Sequence, residues 1–234
     1  MYFCSFHIYN ENVNYSVFQG DEAMDKKKAV MIGEYSTPEW HPFSGIDHAF
    51  REILTDFEVD FTEEYDSFKE GNLKKYELCI SFVDHWKESL TDEQTAGLLT
   101  FVCNGGGLLI IHNGIAVQNR VELAQLAGAK FVMHPQERVL TFLPAASEHV
   151  ITDGIGDFAF MEEPYQFEQD NFAQTTLLLE YESEGKRWPA AWAHQYAMGR
   201  VAYLAPGHHA AAFQDPMYRK LICRSALWAV GALL

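Results

Sequence analysis

The sequence predicts a single-domain α/β fold, a doubly wound and mostly parallel sheet with added antiparallel strands in its C-terminal half. Three observations carry that prediction. Short apolar runs alternate with helix-patterned segments between Ala29 and Ile111; the run GLLIIH is unbroken, as a strand buried on both faces must be; and the second half holds strand-like runs joined by hairpin-length links. At 234 residues with 48% hydrophobic side chains the chain can fill one sizeable core, which excludes a disordered or fibrous protein.

The elements follow in order. After Lys26, Lys27 and Lys28, AVMIGEY reads as a buried strand, and TPEWHPFSG is a proline-bearing loop. A helix begins near Ile46, because Ile46, Ala49, Phe50, Ile53 and Leu54 recur at helical spacing, and FEVDFT from Phe57 is the second strand. A helix-like polar segment precedes YELCISFVD, the third strand. Thr91, Asp92, Glu93 and Gln94 form a capping box, which starts a helix running to Cys103 and stopped by Asn104 and Gly105. GLLIIH then enters as a central parallel strand. VLTFLP, TTLLLEYES, PAAWAHQ and GRVAYLAPG are further strands, some antiparallel, with GKRW and AMGR as links. The last helix starts after Asp215 and Pro216 and turns Tyr218, Leu221, Ile222, Ser225 and Trp228 inward. No linker or repeat divides the chain, so one domain covers 29–234. Residues 1–28 form an N-terminal extension, in which YFCSFHIY alternates like an edge strand or hairpin arm and is equally open to being a partly ordered tail.

Charge narrows the partners. With 17 basic against 33 acidic residues the formal balance is −16, which repels nucleic acid and anionic membrane surfaces. No Lys or Arg falls between Arg138 and Lys186, a stretch rich in Asp and Glu, so a neutral sugar or a cation suits it better than an anion. Four separated cysteines without a CxxC pair fit reduced thiols in cytosol, and the start MYFCSFHIYNENVNYS has no signal-peptide pattern, so a cytoplasmic protein is expected. No apolar stretch reaches the length of a membrane span. A homodimer is the base-rate expectation for such a chain.

Ligands of open α/β sheets sit beyond the carboxyl ends of the strands. Three such places carry histidine: the loop after the first strand (His41, with His48 farther on), the turn after GLLIIH (His112, beside Asn113), and the turn after VAYLAPG (His208, with His209 turned aside). In GGGLLIIHNG the glycines lift a helix end into a strand and leave His112 projecting into the crevice; the plainer alternative is that they only terminate a helix. His194 shares a strand face with Trp192, a face open to being core or pocket. Trp40, between Pro38 and Pro42, is the aromatic best placed for exposure, and Trp40, Tyr165 and Trp192 offer flat faces to a pyranose.

These strings resemble the ThuA-like (trehalose utilisation) family, which shares the class I glutamine amidotransferase-like, flavodoxin-like fold. The likeness rests on GGGLLIIHNG, MHP at 133–135, EHVITDGI at 148–155, MEEPYQF at 161–167, and RWPAAWAHQYAMGRVAYLAPGHHAAAFQDPMYRKLICRSALWAVG, spanning about Ala29 to Gly231. Where amidotransferases of this fold place a cysteine on a strained elbow, this chain has His112. Cys103 sits upstream at a helix end and no GxSxG is present, so covalent acyl transfer is disfavoured. Glu162-Glu163-Pro164-Tyr165 resembles the family's acidic-acidic-x-Tyr element, whose carboxylate and phenol point into the pocket; from the residues alone, two glutamates before a proline read as a solvated loop. The resemblance also favours His208 over His209.

The resemblance implies carbohydrate utilisation, with trehalose or a related or keto disaccharide as the ligand. The expected catalytic residues are His112, His208 and Glu163, and the expected substrate-binding residues are Tyr165, His41, Trp40, Asn113 and His194. The chemistry is either general acid/base or assisted by a divalent metal. His112, His208, His41 and Glu163 are ligand types for such a metal, but their scatter along the sequence carries no spacing signature. The rival is a non-catalytic sugar-binding or regulatory module on a decayed amidotransferase fold.

Overall fold

The computed structural model describes residues 26–36, 38 and 40–234. The expected N-terminal edge strand or hairpin arm lies outside the described residues, and the first strand starts at Lys27, ahead of the expected domain start at 29.

The first half winds as the periodicity requires. Strand β1 (Lys27–Gly33) leads to α1 (Ile46–Ile53) and β2 (Phe57–Thr62). The polar segment after β2 resolves into a short 3-10 turn and a single helical turn, α2 (Glu70–Leu73), before β3 (Leu78–Phe82). Helix α3 (Asp92–Cys103) precedes β4 (Gly107–Ile111). Both halves of the α3 capping box form: Thr91 Oγ1 accepts from the Gln94 amide, and the Gln94 side chain accepts from the Thr91 amide. The last helix, α5 (Pro216–Ala229), opens with Asp215 capping the Met217 and Tyr218 amides ahead of a proline at its first position.

Between β4 and α5 the chain forms α4 (Val121–Ala127), β5 (Ala129–Met133), β6 (Arg138–Pro144), β7 (Phe158–Glu162), β8 (Gln166–Gln169), β9 (Thr176–Ser183), β10 (Lys186–Tyr196) and β11 (Gly199–Leu204). The main sheet has the order β2-β1-β3-β4-β11-β10-β9-β6-β7. Its first five strands are mutually parallel, in the flavodoxin-like order, and the last four are antiparallel. β5 and β8 pair separately as a two-stranded ribbon. The hairpin turns lie at Glu184–Gly185 and Ala197–Met198, with φ of 55°, 72° and, for Ala197, 50°; Lys186, Arg187 and Trp188, expected in a link, are already in β10.

Alternation along the strands sorts the core into two layers. Ala29, Met31, Ile80, Leu109 and Ile111 face α1 and α5, whereas Val30, Ile32, Cys79, Leu108 and Ile110 face α3 and α4. Leu108 through Ile111 have no exposed surface, and each side chain so buried contributes about 1.5–3 kcal/mol. Trp192, expected to offer a face to sugar, is fully buried: it packs on Phe167 and Tyr203 and donates Nε1–H to Ala127 O at 2.7 Å. Trp228, expected in the core, is half-buried, its ring meeting His149 and the Arg200 guanidinium. Among the described residues no helix is long and apolar enough to cross a membrane.

Candidate functional site

The chain leaves β1 toward α1 on one face and leaves β3 toward α3 on the other, which opens a crevice at the strands' carboxyl ends. Six segments deliver polar side chains to it: the loop after β1, the residues after β3, the turn after β4, the residues after β5 and after β7, and the turn after β11.

The β4 turn is built from three residues in succession. His112 takes φ 44°, a left-handed conformation that costs a non-glycine residue about 1–3 kcal/mol. Asn113 holds the turn down, its Nδ2 donating to Phe82 O at 2.9 Å. Gly114 lies on β3 so closely that a Cβ there would stand 1.9 Å from Ser81 O. Asn113 is therefore a buried tie between strands, with no surface toward a ligand. The strained elbow anticipated from the sequence is present, and a histidine occupies it.

His112 Nδ1 is 2.6 Å from the Ala205 carbonyl, to which it must donate, so its Nε2 carries the lone pair and faces the crevice. There it meets His41 Nε2 at 3.2 Å and Glu163 Oε2 at 3.4 Å. His41 is oriented in the same way: its Nδ1 lies 2.8 Å from Asp84 Oδ1, while Asp84 Oδ2 accepts the Trp40 and His41 amides at 2.5 and 2.9 Å. His208 Nδ1 approaches Glu163 Oε2 at 3.3 Å, and His41 Nε2 lies 3.9 Å from the same oxygen. His134 Nε2 reaches the other oxygen of Glu163 at 3.5 Å.

Glu162 and Glu163 divide their work. Glu162, at the end of β7, is buried and binds the β11 turn, accepting the Gly207 amide at 2.6 Å and the His208 amide at 3.2 Å. Burial pushes its carboxyl up to about 8, against the pull of those backbone donors and of the Glu163 amide. Glu163 is held well below the usual carboxylate range, because its bonds to His112 and His41 outweigh desolvation. Desolvation opposes charge on His41, yet Asp84 and Glu163 raise it above the ordinary histidine value. Burial pushes His112 down to about 4 and also lowers His208. The carboxylates thus favour charge on His41, and Glu163 keeps its negative charge.

Above the cluster lies a cleft of about 300 Å³ lined by Trp40, His41, Trp86, Phe131, His134, Glu163, Tyr165 and His208. Its floor is aromatic: the Tyr165 ring stacks on His112, with centroids 4.3 Å apart, and touches Phe131. Burial and the nearby carboxylates raise the Tyr165 phenol far above its ordinary value, so it stays a neutral donor. Trp40 is 65% exposed at the rim.

The expected site residues thus separate. His41, Glu163, Tyr165, His208 and Trp40 line the cleft. His112 has no exposed surface and lies beneath it, in contact with His41 and Glu163. His194 is buried in β10 at a different groove, near Gln125 and Asp170. His48 is exposed on α1, and His209 pairs with Glu137 at 2.7 Å. Cys103 ends α3 at the amino end of β4, across the sheet from His112, while Cys79 and Cys223 are buried in the core. Sequence reasoning missed Asp84, Glu162 as a clamp, and His134. Asp84 had a usable signal, an acidic residue just past the carboxyl end of an expected strand; the burial of Glu162 had none.

Residues 35–229 match a family model, ThuA, described as trehalose utilisation. The fold is similar to a ThuA-like protein from Parabacteroides merdae ATCC 43184, at 18% identity and TM-score 0.74, covering 89% of this chain and 91% of that one. It is also similar to a ThuA-like protein from Bacteroides uniformis ATCC 8492 (17%, TM-score 0.71, covering 94% and 95%). A cytoplasmic protein of Salmonella typhimurium LT2 shares the fold at 17% identity and TM-score 0.65, covering 86% and 99%. No curated protein matches the chain.

Proposed function

The chain belongs to the ThuA (trehalose utilisation) family, and from that premise we propose that it is a cytoplasmic enzyme of carbohydrate utilisation acting on a neutral disaccharide, trehalose or a related or keto-oxidised sugar. One observation carries the reading: an ionised carboxylate and three imidazoles from four separate segments converge beneath an aromatic cleft at the sheet's carboxyl edge.

Each group has a part. Glu163 is the base, or the acceptor that orients a sugar hydroxyl or a water, since it faces the cleft and stays ionised. His208, half-buried and held by Glu162 through its backbone, is the proton carrier on the other side. The Asp84–His41 pair sets the charge beside Glu163. His112 acts from below through Glu163 and His41 and does not touch substrate. Trp40 offers its ring to a pyranose face, and Tyr165 supports the floor. A negatively charged cluster in a chain of net charge −16 disfavours phosphorylated or carboxylated sugars, which leaves neutral ones.

The test is product formation followed by NMR with trehalose, other neutral disaccharides and their keto derivatives, comparing wild type with Glu163→Gln. Turnover of at least one sugar, slowed roughly 10²–10⁴-fold in the variant at unchanged melting temperature, is the expected result. Binding without product from any sugar would instead make the protein a sugar-binding module.

A further inference from the structure

We propose that His41, His112, His208 and Glu163 form a binding site for one divalent metal ion of the zinc class. This deepens the catalytic reading above by naming the site's cofactor, and it rests on that reading only for its use, since the ion's binding is measured without any sugar.

The first argument is geometric. One ligand atom from each of the four residues falls in a group whose members all lie within 4.8 Å of one another. Four ligands about 2.1 Å from a tetrahedral ion sit roughly 3.4 Å apart. Around the cluster, His41 Nε2 to His112 Nε2 is 3.2 Å, His112 Nε2 to Glu163 Oε2 is 3.4 Å, His208 Nδ1 to Glu163 Oε2 is 3.3 Å, and His41 Nε2 to Glu163 Oε2 is 3.9 Å. These four of the six edges bracket the tetrahedral value, and the two from His208 to the other imidazoles lie within 4.8 Å.

The second argument counts protons. Nδ1 of His112 is committed to the Ala205 carbonyl and Nδ1 of His41 to Asp84, so each ring in its neutral form turns its Nε2 lone pair toward the other. Two lone pairs and a carboxylate pointed at one place need a cation there: a proton on His41 serves the His112 lone pair alone, whereas a metal ion satisfies all of them at once. His208 Nδ1 is buried, points into the same place and has no hydrogen-bond partner. The surroundings also match what metal-bound histidines require, a carboxylate or backbone carbonyl on the opposite ring nitrogen that fixes tautomer and orientation.

The third argument is choice of ion. Three imidazoles and one carboxylate suit zinc and its neighbours, and disfavour magnesium or calcium, which take mostly oxygen ligands. It also gives His112 a purpose that substrate contact cannot, since a ligand works from beneath the cleft. Bound there, the ion would supply a Lewis acid facing the cleft, with Glu163 and His208 serving as its ligands in place of acting as free base and proton carrier.

The experiment uses the full chain without a polyhistidine tag, stripped with chelator and titrated with zinc and then cobalt, following stoichiometry, affinity and the visible spectrum of bound cobalt. The expected result is one ion per chain with a tetrahedral cobalt spectrum, and affinity reduced roughly 100-fold or more in His208→Asn and in Glu163→Gln, two partly exposed positions whose variants keep the wild-type melting temperature. No bound ion, or binding that is the same in both variants, overturns the proposal. The two readings fail separately. Stoichiometric zinc with no sugar turned over removes the sugar assignment and keeps the metal site; turnover by protein that binds no ion removes the metal site and keeps the sugar assignment.

Discussion

His112 Nδ1 donates to the carbonyl oxygen of Ala205 at 2.6 Å, so a residue just past β11 decides which nitrogen of a residue just past β4 carries the proton and which turns toward the cluster. The same turn then supplies His208. Strand pairing between β4 and β11 thereby fixes two members of the cluster together, and the left-handed φ of His112 is accommodated because Gly207 leaves room for its Cβ and Gly114 lets the turn lie against Ser81.

Gly207→Ala tests that packing. At φ 149° an L side chain is already strained, and the new Cβ would stand 2.9 Å from the Cβ of His112. The variant should lose about 1–3 kcal/mol of stability in urea titration. A stability equal to wild type would show that the turn is not held as described.

Asp84→Asn tests the orientation of His41. The amide oxygen can still accept the Trp40 and His41 backbone N–H groups, but its NH₂ would then face His41 Nδ1 and move the imidazole proton to Nε2. Turnover and zinc affinity should both fall roughly 10–100-fold with the fold retained. Unchanged values for both would contradict the role given to Asp84.

Legibility in the sequence followed the range of the signal. GLLIIH, the Thr91 capping box and the Asp215–Pro216 start are local patterns, and each stands where it was expected. His41, His112 and His208 could be grouped from the sequence because the rule about strand carboxyl ends needs only strand positions, and their rings lie in mutual contact. β5, β7 and β8 escaped because they are four or five residues long and half exposed, too short for alternation to register. Glu162 reads as solvated loop until the β11 turn supplies its backbone donors, a tertiary fact with no local trace. Asn113 and His194 sit among candidate residues in sequence, and only packing separates them from the cleft.

Stability should depend on pH through histidines remote from the cluster. Burial lowers His149, with Arg200 adding to it, and burial lowers His194. The unfolded chain therefore binds protons that the native state refuses; their contribution is complete above about pH 6.5 and is lost as the pH falls below it toward the lowered native values. His149 Nδ1 accepts the Ile151 amide, a bond asparagine can keep without titrating. The urea midpoint of His149→Asn should thus fall less than that of wild type between pH 7.5 and 5, and an equal fall would contradict the assignment.

Trp40→Ala should leave the melting temperature unchanged, because the ring is 65% exposed and is packed by the solvent side of the cleft. Loss of a stacking face worth about 0.5–1.5 kcal/mol should raise KM roughly two- to tenfold with kcat little altered. A fall in kcat alone would move Trp40 from the rim to the reacting centre.

The central claim is that this crevice is where a sugar is held. A crystal structure of the protein soaked with a disaccharide that it binds in solution measures that directly. The account predicts a pyranose ring against Trp40, with hydroxyl groups in hydrogen-bond reach of Glu163 and His208. A sugar found instead at the groove beside His194 and Asp170, with the cleft above Glu163 empty, would contradict it.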